Sequence, residues 1–180
     1  MKYEAERIYI RAWTIEDASL LQEFQAGNRE EIESITASER DEAFYSLDGQ
    51  TQLIEKWVEQ AKEGTRYSFG IFLQDTDELA GETSLFRIEL NGAEKWVIGY
   101  ATDRLHQGKG YMSEALKRVL LFAKHETGIT QVEAGAVPDN TGSIRVLLKA
   151  GFQESGTHDV PIRGVMKKHR MFTISLKDME

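Results

Sequence analysis

Apolar positions in this chain alternate between two periods, and each change of period marks an element. Strict alternation over Arg7-Ile8-Tyr9-Ile10-Arg11-Ala12-Trp13 predicts a first strand. Thr14 with Asp17 three residues later is a helix-start pattern, and Ala18, Leu21 and Phe24 then share one helical face. Residues 27–50 are polar and acidic, with Glu30, Glu31, Glu33, Glu39, Asp41 and Glu42, and read equally as short helix or loop. Leu53, Ile54, Trp57, Val58 and Ala61 restore the helical period and predict a helix over 51–62.

Strands follow at 67–73 and 79–90, parted by the turn Gln74-Asp75-Thr76-Asp77-Glu78. Asn91-Gly92 signals a hairpin into a third strand at 96–102. Met112, Ala115, Leu116, Val119, Leu120 and Ala123 then predict a helix reaching about Glu126, followed by a strand over 131–137. Asn140-Thr141-Gly142-Ser143 opens a short helix that stops at Ala150-Gly151, where glycine suits the residue after a helix end. Strands at 152–160 and 170–176 close the chain as an antiparallel pair, with Lys167-Lys168-His169-Arg170 expected near their hairpin tip. That basic run reads first as solvated charge, and second as a contact for a 3′-phosphate or an acidic partner. No repeat or low-complexity segment interrupts the order, so residues 1–180 read as one domain. The class is α+β (mixed α/β), antiparallel first, with a parallel insertion near residues 107–111.

The run Gln107-Gly108-Lys109-Gly110-Tyr111 carries the first chemistry. It joins the buried-strand pattern Trp96-Val97-Ile98-Gly99-Tyr100-Ala101 to the helix that follows. A strand turning through two glycines into a helix presents free N–H groups and a positive helix end, which together bind diphosphate. Glycine is required because a Cβ would hold the backbone off the phosphate oxygens. A dinucleotide fingerprint is excluded, since Ser113 stands at its third glycine and the preceding strand belongs to a hairpin. A Walker loop is excluded as well, because Lys109 lies between the glycines and no Gly-Lys-Ser/Thr follows.

Composition narrows the classes further. A net charge of −8 argues against direct nucleic-acid binding and suits a cationic partner, although solubility explains it more simply. With no cysteine, disulfides, thiolate metal sites and a cysteine nucleophile are excluded. No apolar run nears the ~20 residues of a membrane span. Met1-Lys2-Tyr3-Glu4-Ala5-Glu6 lacks the apolar centre of a signal peptide. A cytoplasmic protein with no membrane attachment and no metal is expected.

Asn140-Thr141-Gly142-Ser143-Ile144-Arg145-Val146-Leu147-Leu148-Lys149-Ala150-Gly151-Phe152 lies one helix and one strand beyond the glycine turn. Together the two segments resemble the acyl-CoA-binding core of the GNAT superfamily of N-acetyltransferases. Arg7-Ile8-Tyr9-Ile10-Arg11 with Glu16-Asp17-Ala18 resembles the opening of the branch containing ribosomal-protein N-terminal acetyltransferases of the RimJ/RimL type. The likeness covers nearly the whole chain, with residues 27–50 the least matched. It implies a central, mostly antiparallel sheet of six to seven strands, flanked by about four helices. Two parallel central strands, 96–102 and 131–137, would splay apart in a V. Pantetheine would enter the gap and pair with backbone near Tyr100, Ala101 and Thr102. The diphosphate would rest on N–H groups of Gln107, Gly108, Lys109, Gly110 and Tyr111, with Lys109 either adding charge or simply solvated. The resemblance puts Asn140 against the pantetheine arm and Ser143 near the thioester sulfur. Leu105 departs from the Gln or Arg often found there, a change that backbone donors should tolerate.

What the resemblance implies chemically is transfer of acetyl from acetyl-CoA to a primary amine. An α-amino group titrates near ~7.7–8.0 and is partly neutral at pH 7, whereas lysine, near ~10.4, needs more help. A backbone N–H at the strand bulge can stabilise the oxyanion, and a thiol near ~8.5 needs little protonation to leave. Ser143 is the candidate donor to sulfur, its alternative being a helix-capping serine. Glu94 is the candidate base, because family members often place a Glu on the strand before the glycine turn. The branch's more usual position is Val97 here. Glu82, Glu133, His106 and His158 are rivals, and ordered water without a base is a further alternative. The expected acceptor is a protein N-terminal α-amine. Alternatives are a small-molecule amine (polyamine or antibiotic) and a non-catalytic acyl-CoA sensor. Homodimers are common in the family, and one is carried over as an expectation.

Overall fold

The computed structural model describes residues 1–90 and 92–180, so the hairpin signal at Asn91 lies outside the described residues. In chain order the elements are β1 (Lys2–Glu4), β2 (Ile8–Ala12), α1 (Ala18–Gly27), α2 (Arg29–Ile35), α3 (Leu47–Lys62), β3 (Arg66–Leu73), β4 (Leu79–Leu90) and β5 (Ala93–Thr102). They continue with α4 (Tyr111–Phe122), β6 (Gln131–Ala136), α5 (Thr141–Ala150), β7 (Gln153–Ile162) and β8 (Val165–Ser175). One eight-stranded sheet takes the order β1-β2-β3-β4-β5-β6-β8-β7. Neighbours run antiparallel except β5 and β6, the parallel pair expected at the centre.

Three expectations change. The sheet has eight strands, not six or seven, because β1 pairs with β2. Three residues are too few for a period to show, and β1 is held by pairing and by Tyr3, whose ring meets those of Phe69 and Phe122. A fifth helix, α2, resolves part of the stretch that read as helix or loop. It buries only Ile32, and Arg29 and Glu33 join across one turn. The basic run 167–170 lies inside β8 rather than at a tip, paired with residues 157–160 of β7. The turn falls at Arg163 and Gly164, both with positive φ (47° and 78°). Polar side chains on this largely exposed pair hide the strand period.

Helix α3 also starts earlier than the apolar stripe, because Ser46 caps it by accepting from Gly49 N at 3.0 Å. The helix-start pattern at Thr14 is realised, with Thr14 N donating to Asp17 Oδ2 at 2.8 Å. Arg11 clamps the same carboxylate at 2.7 and 2.9 Å, and that bidentate bond holds Asp17 below the usual carboxylate range.

Two apolar clusters sit on opposite faces of the sheet. Helices α4 and α5 bury Met112, Leu116, Leu120, Ile144 and Leu147 on one face, against Ile8, Phe69 and Ile98. Helices α1 and α3 cover the other face with Leu21, Phe24, Ile54 and Trp57 around Trp13. Side chains alternate along β5, so Tyr100 packs into the first cluster while Ala101 packs against the second. The central strand thus serves two separate compartments. Gly81 lets β4 and β5 approach closely, since a Cβ there would lie 2.6 Å from Ala101 O.

Candidate active site at the splayed strands

β5 and β6 share a single registered pair, Val97 with Glu133. Beyond it β6 ladders to β8, and from Ile98 to Thr102 the β6-facing edge of β5 has no strand partner among the described residues. Tyr100, Ala101 and Thr102 therefore lie on an open edge capable of pairing with an extended ligand.

At the end of that edge the chain is pinned before it turns. Asp103 N donates to Ala80 O at 2.8 Å. The Asp103 carboxylate takes Asn28 Nδ2 at 2.9 Å and Leu105 N at 3.0 Å, with His106 Nδ1 3.0 Å away. Burial alone would raise the Asp103 pKa, but these bonds outweigh it and hold the group below its ordinary value. His106 is thereby tied between carboxylates, its Nε2 lying 3.6 Å from Glu78. Leu105 projects into solvent at 72% exposure.

The glycine turn follows, with Gly108 at φ 74° and Gly110, which precedes α4, at φ 83°. No acceptor among the described residues takes the amides of Gln107, Gly108, Lys109 or Gly110. Arg7 buttresses the turn from the corner between β1 and β2. Its Nη1 donates to Lys109 O at 2.8 Å and its Nε to Glu114 Oε2 at 2.9 Å, while the guanidinium lies 4.9 Å from the Tyr111 ring centre. Free amides, a helix N-terminus and an arginine make this turn fit a diphosphate. Sequence reading used Arg7 only as part of the opening strand, because its partners lie more than 100 residues away. Lys109 is exposed.

Across the gap, Asn140 caps α5 by accepting from Ser143 N at 3.1 Å. Ser143 is not the cap. Its Oγ lies 2.6 Å from Tyr100 Oη, whose burial pushes the phenol up to about 12, the Ser143 bond pulling the other way. The Tyr100 side chain is a candidate site group that sequence reading missed, having assigned only its backbone.

The candidate carboxylates separate clearly. Glu94 sits at the start of β5, opposite Glu89, 3.5 Å from Arg87 and largely exposed, and the fold does not bring it to the gap. Glu133 pairs with Lys95 at 3.3 Å. His158 faces His169 on the exposed hairpin. Glu82 alone among them has an oxygen, Oε2, closed to solvent and without a hydrogen-bond partner among the described residues. Burial raises its pKa, opposed by the charges of Arg40 and Arg66.

Residues 7–153 match the acetyltransferase (GNAT) domain family. The chain belongs to the GNAT acetyltransferases. It is 36% identical to "Probable N-acetyltransferase YjcK" of Bacillus subtilis over 179 residues, covering 98% of each chain. It is 26% identical to "[Ribosomal protein uS5]-alanine N-acetyltransferase" of Escherichia coli over 156 residues, covering 87% of this chain and 80% of that one. The fold superposes on "Mycobacterium smegmatis RimJ in complex with CoA-disulfide" with a TM-score of 0.85 at 20% identity, covering 96% of this chain and 83% of that one. This GNAT protein is an acetyl-CoA-dependent N-acetyltransferase, and acetyl-CoA is its acyl-donating cosubstrate.

Proposed function

We propose that this GNAT enzyme acetylates protein N-terminal α-amines in the cytoplasm. The observation that carries its site is the open β5 edge, bounded by the glycine turn at one end and the Tyr100–Ser143 pair across the gap. In this reading the amides of Gln107 to Tyr111 and the Arg7 charge hold the diphosphate. Tyr100, Ala101 and Thr102 lend backbone groups to pantetheine, and Asn140 keeps its Nδ2 for the same arm while its Oδ1 caps α5. Tyr100, protonated at neutral pH, donates to Ser143 Oγ, which frees the Ser143 hydroxyl to donate to the departing sulfur. An α-amine acceptor is supported by the likeness to the uS5-alanine acetyltransferase over most of the chain. It is also supported by an amine pKa that needs little assistance.

The test is acetyl-CoA-dependent thiol release against a panel of peptides with free N-termini, the same peptides blocked at the N-terminus, polyamines and aminoglycosides. Turnover of the free-N-terminus peptides, with the acetyl group located on the α-nitrogen by mass spectrometry, is expected. Turnover confined to the small amines would replace this acceptor with a small-molecule one.

A further inference from the structure

Glu82 lies one strand in from the open edge. Register sets it between Gly70 of β3 and Ala101 of β5, and sets Ser84 beside Gly99. Side chains at these positions face the compartment of α1 and α3, because Ala101 packs against that cluster. Gly99 and Ala101 therefore put no side chain larger than a methyl group between Glu82 and the unpartnered edge of β5.

The surroundings bring two cationic fields toward the carboxylate without pairing it, against a burial that raises its pKa. Arg66 stacks its guanidinium 5.3 Å from the Trp57 ring and 5.0 Å from the Phe86 ring, and its Nε donates to Ser68 Oγ at 2.9 Å. Ser68 and Ser84 join at 2.8 Å. Arg40 donates to Gln25 Oε1 at 3.1 Å. The fields of both arginines reach Glu82, yet among the described residues neither is within ion-pair distance of it. No other titratable group occupies a buried position on the covering helices, which present Leu21, Phe24 and Gln25 from α1, Ile32 from α2, and Gln50, Ile54 and Trp57 from α3. Although the residue keeps some surface, Oε2 is shut from water with its acceptor capacity unused. A carboxylate in that state is completed by a cationic N–H donor.

We propose that Glu82 receives the ammonium group of the acceptor and removes its proton before attack. The inference rests on N-acetyl transfer from acetyl-CoA and applies whichever primary amine is the acceptor. One N–H bond of the ammonium breaks and the proton passes to Glu82. The nitrogen lone pair then forms the N–C bond to the acetyl carbon, and the C–S bond breaks with its electron pair on sulfur. Nitrogen sheds a second proton to solvent, while sulfur takes one from the Ser143–Tyr100 pair, which solvent refills. Glu82 returns its proton to water, so one proton is released per amide formed. The raised pKa suits this task, since a carboxylate closer to neutrality is a stronger base.

The test compares wild type with Glu82→Gln and Glu82→Asp on any acceptor the panel identifies. Expected for Glu82→Gln is a fall in acceptor kcat/KM of about 100-fold or more. Its acidic limb should vanish, leaving only the amine's own ionisation. Acetyl-CoA affinity by calorimetry should stay within about twofold, and Glu82→Asp should keep an acidic limb at reduced kcat. Retained kcat/KM and limb in Glu82→Gln, or loss of acetyl-CoA binding along with activity, would overturn the role. If wild type turns over a polyamine but no peptide, the N-terminal reading falls while Glu82 is judged on the polyamine. A readout that needs no turnover is the carbon NMR titration of ¹³C-glutamate enzyme, with Glu82 assigned by its absence in Glu82→Gln. Adding the acceptor amine should move the Glu82 titration, and a titration that the acceptor leaves unmoved overturns the assignment.

Discussion

Tyr100 and Ser143 hold their hydroxyl oxygens 2.6 Å apart, and the bond gives each what it lacks alone. A serine hydroxyl without a donor behind it is a poor proton source, and a buried phenol without a partner is an unsatisfied group. Tyr100→Phe should lower kcat about 10- to 100-fold and leave the acetyl-CoA KM within about threefold. Ser143→Ala should do the same. The double variant should be little worse than either single one, because one unit has been removed twice. The pH behaviour follows from burial. An unfolded tyrosine ionises near ~10, whereas Tyr100 is pushed up to about 12. Below pH ~10 both states are neutral and the stabilisation is complete. As pH rises from there toward 12 the unfolded chain ionises first, and the stability contribution falls away. Tyr100 therefore adds no basic limb to kcat below pH ~10. A difference titration of tyrosinate absorbance between wild type and Tyr100→Phe should show one group with a midpoint near 12.

At the scale of elements, Arg7 links the β1–β2 corner to the glycine turn by donating to Lys109 O and to Glu114, in the first turn of α4. Half-exposed as it is, the clamp contributes about 1 kcal/mol once solvent screening is counted. Arg7→Ala should therefore raise the acetyl-CoA KM about fivefold with kcat nearly unchanged, a split that steady-state kinetics reads directly. The same residue shows where sequence reading ends. The helices α4 and α5 and the strands β2 to β6 were legible, because each buries one side and carries a period. β1 has three residues and α2 buries one, so no period marks them; the β7–β8 pair was legible, but its charged, exposed tip hid where the turn falls. In the site, the glycine turn and Ser143 announce themselves within a short motif. The Tyr100 hydroxyl meets Ser143 from 43 residues away, and Arg7 meets Glu114 across 107, so neither contact leaves a local trace. Glu94 and Glu82 look alike as letters on neighbouring strands. Only register shows that one faces solvent and the other a closed compartment.

Across the whole molecule, one residue ties the β7–β8 turn to α2 and the segment that follows it. Arg163, in the β7–β8 turn, donates from its backbone N to Ala37 O and from its guanidinium to Glu33 O, at the end of α2. Glu33 in turn accepts from Tyr45 Oη at 2.6 Å and pairs with Arg29. The turn, α2 and the segment leading to α3 thus form one rim, closed by contacts 130 residues apart in sequence. On the proposed reading the acceptor crosses this rim to reach Glu82, whereas the cosubstrate lies on the far side of β5. Loosening the rim should then penalise one substrate only. Arg163→Ala removes the guanidinium bond but keeps the backbone one, a loss of about 1 kcal/mol, which corresponds to about a fivefold rise in acceptor KM. The acetyl-CoA KM should not change, and hydrogen exchange should quicken over residues 29–40. The net charge of −8 adds a second signature. Acceptor kcat/KM for a basic peptide should fall as salt rises, in wild type and variant alike, because the long-range attraction does not depend on the rim. Faster exchange with an unchanged acceptor KM would place the peptide's path away from Arg163, along the other wall of the compartment between α1 and α3.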